Sequence, residues 1–186
     1  GEANHAGTTP IRLRKDAGYV TAKIITFLRD LVNNSNGTTV ATIGTISFEP
    51  NAINVIPSKS TFTVDLRDPN EEKLKSAEKA LKNYLEKLRT EERMKIETER
   101  LVRFLPVTFN ERIVKIIEEV AKDKNYSCRR MTSGAGHDAQ MMSRICPTAM
   151  IFVPSYKGIS HNPAEFTEDE DLLKGTSVLL DVVTKL

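Results

Sequence analysis

Between residues 20 and 88 the apolar residues change period twice, and this order constrains the fold more than any other feature of the chain. Val20, Ile24, Ile25, Phe27, Leu28, Leu31 and Val32 recur at helical spacing. Asn33, Asn34, Ser35, Asn36 and Gly37 then end the helix, since Asn and Gly tolerate the left-handed backbone of a helix terminus. "TTVATIGTISFEP" is rich in β-branched residues and reads as a strand, and "NAINVIP" turns the chain. In "STFTVDLRD", Phe62, Val64 and Leu66 alternate with Thr61, Thr63 and Asp65, the period of a half-buried strand. From Asp68-Pro69-Asn70 the helical period returns, with Leu74, Ala77, Leu81, Leu85 and Leu88 as the apolar stripe to about Arg93.

"MKIETERLVRF" reads as a further strand, and another is expected to end near His5. The order to about residue 107 is then β-α-β-β-α-β, that of a ferredoxin-like α+β sandwich. From Phe109 the rhythm changes. "NERIVKIIEEVAKDK" is an amphipathic helix, "SCRRMTS" a short strand, and "GHDAQMMSRI" a helix after a glycine loop. "TAMIFVPS" reads as a buried strand, and "TEDEDLLKGTSVLLDVVTKL" as a closing helix whose acidic first turn suits the helix dipole. This α-β-α-β-α rhythm belongs to a parallel α/β layer, but two strands and three helices cannot close a self-sufficient doubly wound sheet.

The chain opens on Gly1 and reaches a dense polar motif around His5, which reads as a piece of something longer. The 27 basic and 25 acidic residues are interspersed, so charge gives no indication of a nucleic-acid or membrane-surface partner. No apolar run approaches the roughly 20 residues that span a bilayer. Cys128 and Cys146 form no CxxC-type pattern, which argues against a disulfide framework or structural zinc site and for a cytoplasmic setting.

Four polar stretches could carry chemistry. In "SGAGHDA", glycines let backbone N–H groups approach a ligand and lead into a helix start; the plainer account is a tight turn capped by Asp138. In "FVPSYKGISHNPAE", His161 follows an apolar strand and stands near Glu165, as a metal ligand or acid–base group, or as a surface histidine in a Pro-containing turn. Asn54 and Arg67 suit recognition of a carboxylate, although spacing favours a turn-forming Asn and a salt bridge from Arg67 to Asp65 or Asp68. His5 stands in "EANHAGTTP". Met141 and Met142 are expected in the core.

"NHAGTTPIRLRKDA", "PNAINVIP", "FTVDLRD", "SGAGHDA" and "GISHNPAE", in this order, resemble the M20 family of metal-dependent amidohydrolases. The resemblance is to the branch of N-carbamoyl-L-amino-acid hydrolases, allantoate amidohydrolases and β-ureidopropionases, and to the second part of such an enzyme. It implies that residues 1–107 form a ferredoxin-like lid and dimerisation domain, and that residues 108–186 are the C-terminal part of an α/β M20-type catalytic domain. It also implies two divalent ions, zinc or manganese, with His161 as one ligand and the remaining ligands outside this sequence. His5, reaching a site on the partner subunit of a homodimer, would stabilise an oxyanion. Asn54 and Arg67 would hold the carboxylate of a small ureido or amide substrate, and Gly134, Ala135 and Gly136 would add backbone donors. His137, Asp138 and Glu165 would stand beside the site. The 186 residues alone are expected to be inactive. Other M20 activities, aminoacylase or dipeptidase, and a non-catalytic dimerisation module are the alternatives.

Overall fold

The computed structural model describes residues 1–35 and 37–186; Asn36, one of the residues expected to end the first helix, lies outside the described residues. The chain forms two compact units, Gly1–Pro106 and Val107–Leu186. The first contains β1 (Asn4–His5), α1 (Ala17–Asn33), β2 (Val40–Thr42), β3 (Ile46–Glu49), β4 (Val55–Ile56), β5 (Lys59–Phe62), β6 (Asp65–Arg67) and α2 (Glu71–Glu91). The second contains α3 (Glu111–Asp123), α4 (Asp138–Met142) and α5 (Asp169–Lys185).

Both long helices of the first unit start on side-chain caps. Asp16 accepts from the N–H groups of Gly18 (2.8 Å) and Tyr19 (3.1 Å), and Asn70 accepts from Lys73 N–H at 3.0 Å. Val20, Ile24 and Leu28 of α1 meet Leu85 and Leu88 of α2 in the core, with Leu88 fully buried. Phe27 stacks on Tyr84 with centroids 4.0 Å apart. Ile25, counted in the helical pattern, points outward instead.

The two expected strands at 38–50 and 60–68 are each interrupted. Val40, Ala41 and Thr42 pair with Arg67, Leu66 and Asp65, whereas Ile46–Glu49 pair with Phe62–Lys59. Thr63 N–H donates to Thr45 O at 3.2 Å, so Ile43 and Gly44 together face the single residue Val64. Two residues opposite one is a β-bulge, which kinks the hairpin and leaves two short ladders where one was expected. A third ladder joins β1 to β4.

The strand expected over 94–104 is not formed. Met94 is buried and Ile96 packs beside it on the core, but side chains rather than a ladder hold the segment. Arg89 donates to Ile96 O from Nε (2.8 Å) and from Nη2, and Arg103 reaches Glu78 and Glu71 at 2.8 Å each. Among the described residues the strands of this unit therefore pair as three two-stranded ladders, not as one continuous sheet.

In the second unit α3 packs on α5 through Val120, Ala121, Val178 and Val182, with Ile116, Ile117, Tyr126 and Ile151 around them. Neither "SCRRMTS" nor "TAMIFVPS" is a strand. A strand requires a neighbour for its N–H and C=O groups, and among the described residues of this unit there is none. Ile151 and Val153 are half-buried, while Phe152 is exposed, so the segment is not the buried strand its composition indicated. The segment lies against Gly175 of α5, where a Cβ would stand 2.5 Å from Val153 Cγ1. The helix expected over 136–145 is only the five residues of α4, and Met141 and Met142 are exposed rather than in the core. Among the described residues no helix is long and apolar enough to cross a membrane.

Candidate active site

The candidate residues fall into one set in each unit. In the first, the β1–β4 ladder continues past its last pair, with Ala6 N–H donating to Asn54 O at 2.8 Å. This brings His5 and Asn54 to neighbouring ladder positions, both exposed. Immediately after His5 the chain folds back. Thr9 donates to His5 O from its N–H (3.2 Å) and its hydroxyl (2.7 Å). His5 Nδ1 accepts from the N–H groups of Gly7 (3.0 Å) and Thr8 (3.2 Å). The imidazole is therefore seated on its own turn.

Arg67 lies on a different ladder, at the end of β6. It donates to Asp65 two residues back, from Nε to Oδ1 at 2.8 Å and from Nη2 to Oδ2 at 2.6 Å. The Arg67 hydrogen bonds hold the Asp65 carboxyl below the usual carboxylate range, against a smaller opposing effect of burial. Of the two partners that spacing offered, the structure selects Asp65. A fork already gripping a carboxylate two-pronged has the geometry for a substrate carboxylate, which would have to share or displace Asp65. Asp68 belongs to the scaffold: it accepts from Thr39 Oγ1 (2.7 Å), Thr38 Oγ1 (2.9 Å) and Asn70 N–H (2.7 Å).

In the second unit Gly134 and Gly136 face open space, with nothing within 4 Å of a Cβ built on either. Ser133 Oγ accepts from Ala135 N–H and donates to Ala135 O, at 3.3 Å each. The cap of α4 is His137, whose Nδ1 accepts from Ala139 N–H at 3.2 Å; Asp138 is the first helical residue, not the cap. The loop bearing His161 closes at its base through Tyr156 N–H to Phe166 O, at 2.7 Å. His161 adopts φ of +56°, a conformation sparsely populated by residues other than glycine. Glu165 Oε2 accepts from His161 N–H at 3.0 Å, so Glu165 fixes the backbone of the histidine rather than its ring.

The donor chemistry does not amount to a metal shell. Among the described residues no group of three or more His, Cys, Asp or Glu side chains could hold an ion, whereas a catalytic zinc site uses about three protein ligands. His161 is a candidate for one of them. Arg14 was missed at the level of sequence: its Nη2 donates to Ala6 O (2.6 Å) and its Nε to Thr9 O (3.0 Å), bracketing the His5 turn.

The family model described as "Peptidase family M20/M25/M40" matches residues 5–185. The chain is 37% identical over 179 residues to the allantoate amidohydrolase of Escherichia coli, covering 96% of this chain and 44% of that protein. It is 38% identical over 186 residues to the N-carbamoyl-L-amino acid amidohydrolase of Geobacillus stearothermophilus, covering 100% of this chain and 45% of the other. The crystal structure of an amidase of the hydantoinase/carbamoylase family from Burkholderia vietnamiensis superposes with a TM-score of 0.94 at 31% identity, over 100% of this chain and 45% of that one. The chain belongs to peptidase family M20/M25/M40 and has the fold of its hydantoinase/carbamoylase amidases over the part it spans. That part is a little under half the length of these relatives.

Proposed function

We propose that this chain is part of a metal-dependent amidohydrolase that cleaves a linear C–N bond in a small ureido or amide substrate bearing a carboxylate, of the N-carbamoyl-L-amino acid or allantoate class. The observation that carries this reading is the near-complete alignment of the chain with relatives named for those two ureido activities, at 37–38% identity. Within it, the first unit is a ferredoxin-like lid through which two copies associate, and the second is the C-terminal part of the catalytic domain.

The residues divide the work by their chemistry. His5, exposed on its turn, offers a ring N–H to the oxygen that gains charge as the carbonyl is attacked. Arg67 supplies a two-pronged grip for the substrate carboxylate, and Asn54, beside His5 on the ladder, an amide to align it. The open Gly134–Gly136 loop lets substrate approach its backbone closely, with His137 and Asp138 at its helical end. His161, set in place by Glu165, is one ligand of a zinc or manganese pair whose other ligands come from outside these 186 residues.

The test is a substrate panel on a polypeptide of the relatives' length that carries these 186 residues, supplied with zinc or manganese. Turnover of N-carbamoyl-L-amino acids or allantoate, well ahead of N-acyl amino acids and dipeptides, is expected. A preference for dipeptides would overturn the substrate class, and no hydrolysis of any panel member would overturn the reading itself.

A further inference from the structure

We infer that Arg14 is a positioning residue: through its fork on the Ala6–Thr9 turn it holds His5 as the tautomer with the proton on Nε2. The functional consequence rests on the proposed role of His5, whereas the geometry stands without it.

A ring nitrogen that accepts two N–H groups carries no proton of its own. Gly7 and Thr8 both aim N–H groups at His5 Nδ1, so the neutral ring bears its proton on Nε2 and turns a donor outward. The opposite tautomer would set an N–H against two others. An oxyanion requires a donor, and this turn selects the tautomer that exposes one.

The turn depends on groups outside it. Arg14 is half-buried, while Arg12, two residues earlier, is exposed. Leu13 N–H to Pro10 O (3.0 Å) and Arg14 N–H to Ile11 O (3.1 Å) form the short helical turn that returns Arg14 beneath the loop. There its planar fork takes the carbonyls of Ala6 and Thr9, the two ends of the segment that contains Gly7 and Thr8. A lysine could satisfy one carbonyl but lacks the rigid spacing for both. Gly7 also fits closely under the ring: a Cβ there would lie 3.2 Å from His5 Cε1, so the seated ring would have to give by a few tenths of an ångström.

The experiment is a long-range proton–nitrogen correlation spectrum of the ¹⁵N-histidine-labelled chain at about pH 9, well above the usual histidine range. Only three histidines contribute, and loss of one set of signals in His5→Gln assigns His5. The expected spectrum has Nδ1 of His5 at the shift of an unprotonated nitrogen and Nε2 at that of a protonated one. In Arg14→Gln the two shifts should move toward the average of a free imidazole, and Gly7→Ala should do the same with Arg14 intact. Arg12→Gln should leave them unchanged. An averaged or Nδ1-protonated signal in the unaltered chain overturns the inference. So does a signal that stays at the Nε2–H position in Arg14→Gln, whatever Gly7→Ala does.

In the relatives'-length polypeptide, Arg14→Gln should lower kcat at least about tenfold with KM changed less than about threefold, the pattern of an interaction made in the transition state. If the tautomer result holds but His5→Gln leaves kcat unchanged, the proposed role of His5 fails and the positioning by Arg14 survives. If the tautomer is averaged in the unaltered chain, the inference fails whatever the activity.

Discussion

Replacing Gly175 with alanine sets two effects of opposite sign against each other. Glycine inside a helix is unfavourable by about 1 kcal/mol relative to alanine, so on propensity alone the change stabilises α5. The new Cβ, however, would stand 2.5 Å from Val153 Cγ1, far inside van der Waals contact. Val153 is β-branched and stiff at χ1, so relief requires the 148–154 segment to back away from the helix. Forcing extra volume into such a contact costs about 1–3 kcal/mol, which exceeds the propensity gain; the net expectation is a loss on the order of 1 kcal/mol. Urea unfolding followed by far-UV dichroism measures it as a lowered midpoint. In a Val153→Ala background the clashing methyl is gone, and the same Gly175→Ala change should then be neutral or stabilising. The reasoning is refuted if Gly175→Ala raises the midpoint of the otherwise unaltered chain, or if its effect is the same in both backgrounds. The contact matters for the site because the segment seated on Gly175 leads directly into the loop that presents His161.

Two other expectations concern the first unit. Burial alone would push the Asp68 carboxyl up, but hydrogen bonds from Thr39, the Asn70 N–H and Thr38, with the charge of Lys73, together hold it below the usual value. A depressed folded-state pKa contributes stability above the unfolded value, which is lost as pH falls through the folded one. Asp68→Asn should therefore cost on the order of 1–3 kcal/mol at neutral pH, and the difference in urea midpoint from the unaltered chain should narrow below about pH 4; a gap constant from neutral to acid pH would contradict this. Arg103→Gln removes the ties from the 94–106 segment to Glu78 and Glu71. Proteolytic cleavage within 99–105 should accelerate, while amide exchange of Leu85 and Leu88 in α2 stays slow; faster exchange in α2 as well would assign Arg103 to global stability instead.

What the sequence made legible follows from how local each signal is. The long helices could be read because Val20, Ile24 and Leu28 of one stripe and Leu74, Ala77, Leu85 and Leu88 of the other are buried as spaced, with Leu81 partly buried against the core, and because Asn70 caps where an Asn should. The segments at 94–104, 127–133 and 148–155 have strand composition but no ladder, since composition says nothing of whether a neighbour is there to pair with. The bulge at Ile43–Gly44 left one trace, a lone glycine within a strand pattern, and its register is set by the partner strand. His137 caps α4 where Asp138 was expected, because a histidine Nδ1 can accept from a backbone N–H as a carboxylate does. Arg14 was illegible for a similar reason: its partners are backbone carbonyls, which leave no mark on the residue types around them. The individual roles of the site residues came from motif resemblance, not from periodicity.

The central claim is that these 186 residues carry one ligand of a metal pair together with the groups that hold substrate and oxyanion, but not the full metal shell. Calorimetric titration of the chain with zinc and with manganese, repeated on His161→Ala and followed by an N-carbamoyl-L-amino acid assay, tests it most directly. The account expects no tight stoichiometric pair of ions and no turnover above the blank, with any weak binding reduced in His161→Ala. Two tightly held ions per chain, or hydrolysis by the chain alone, would contradict it.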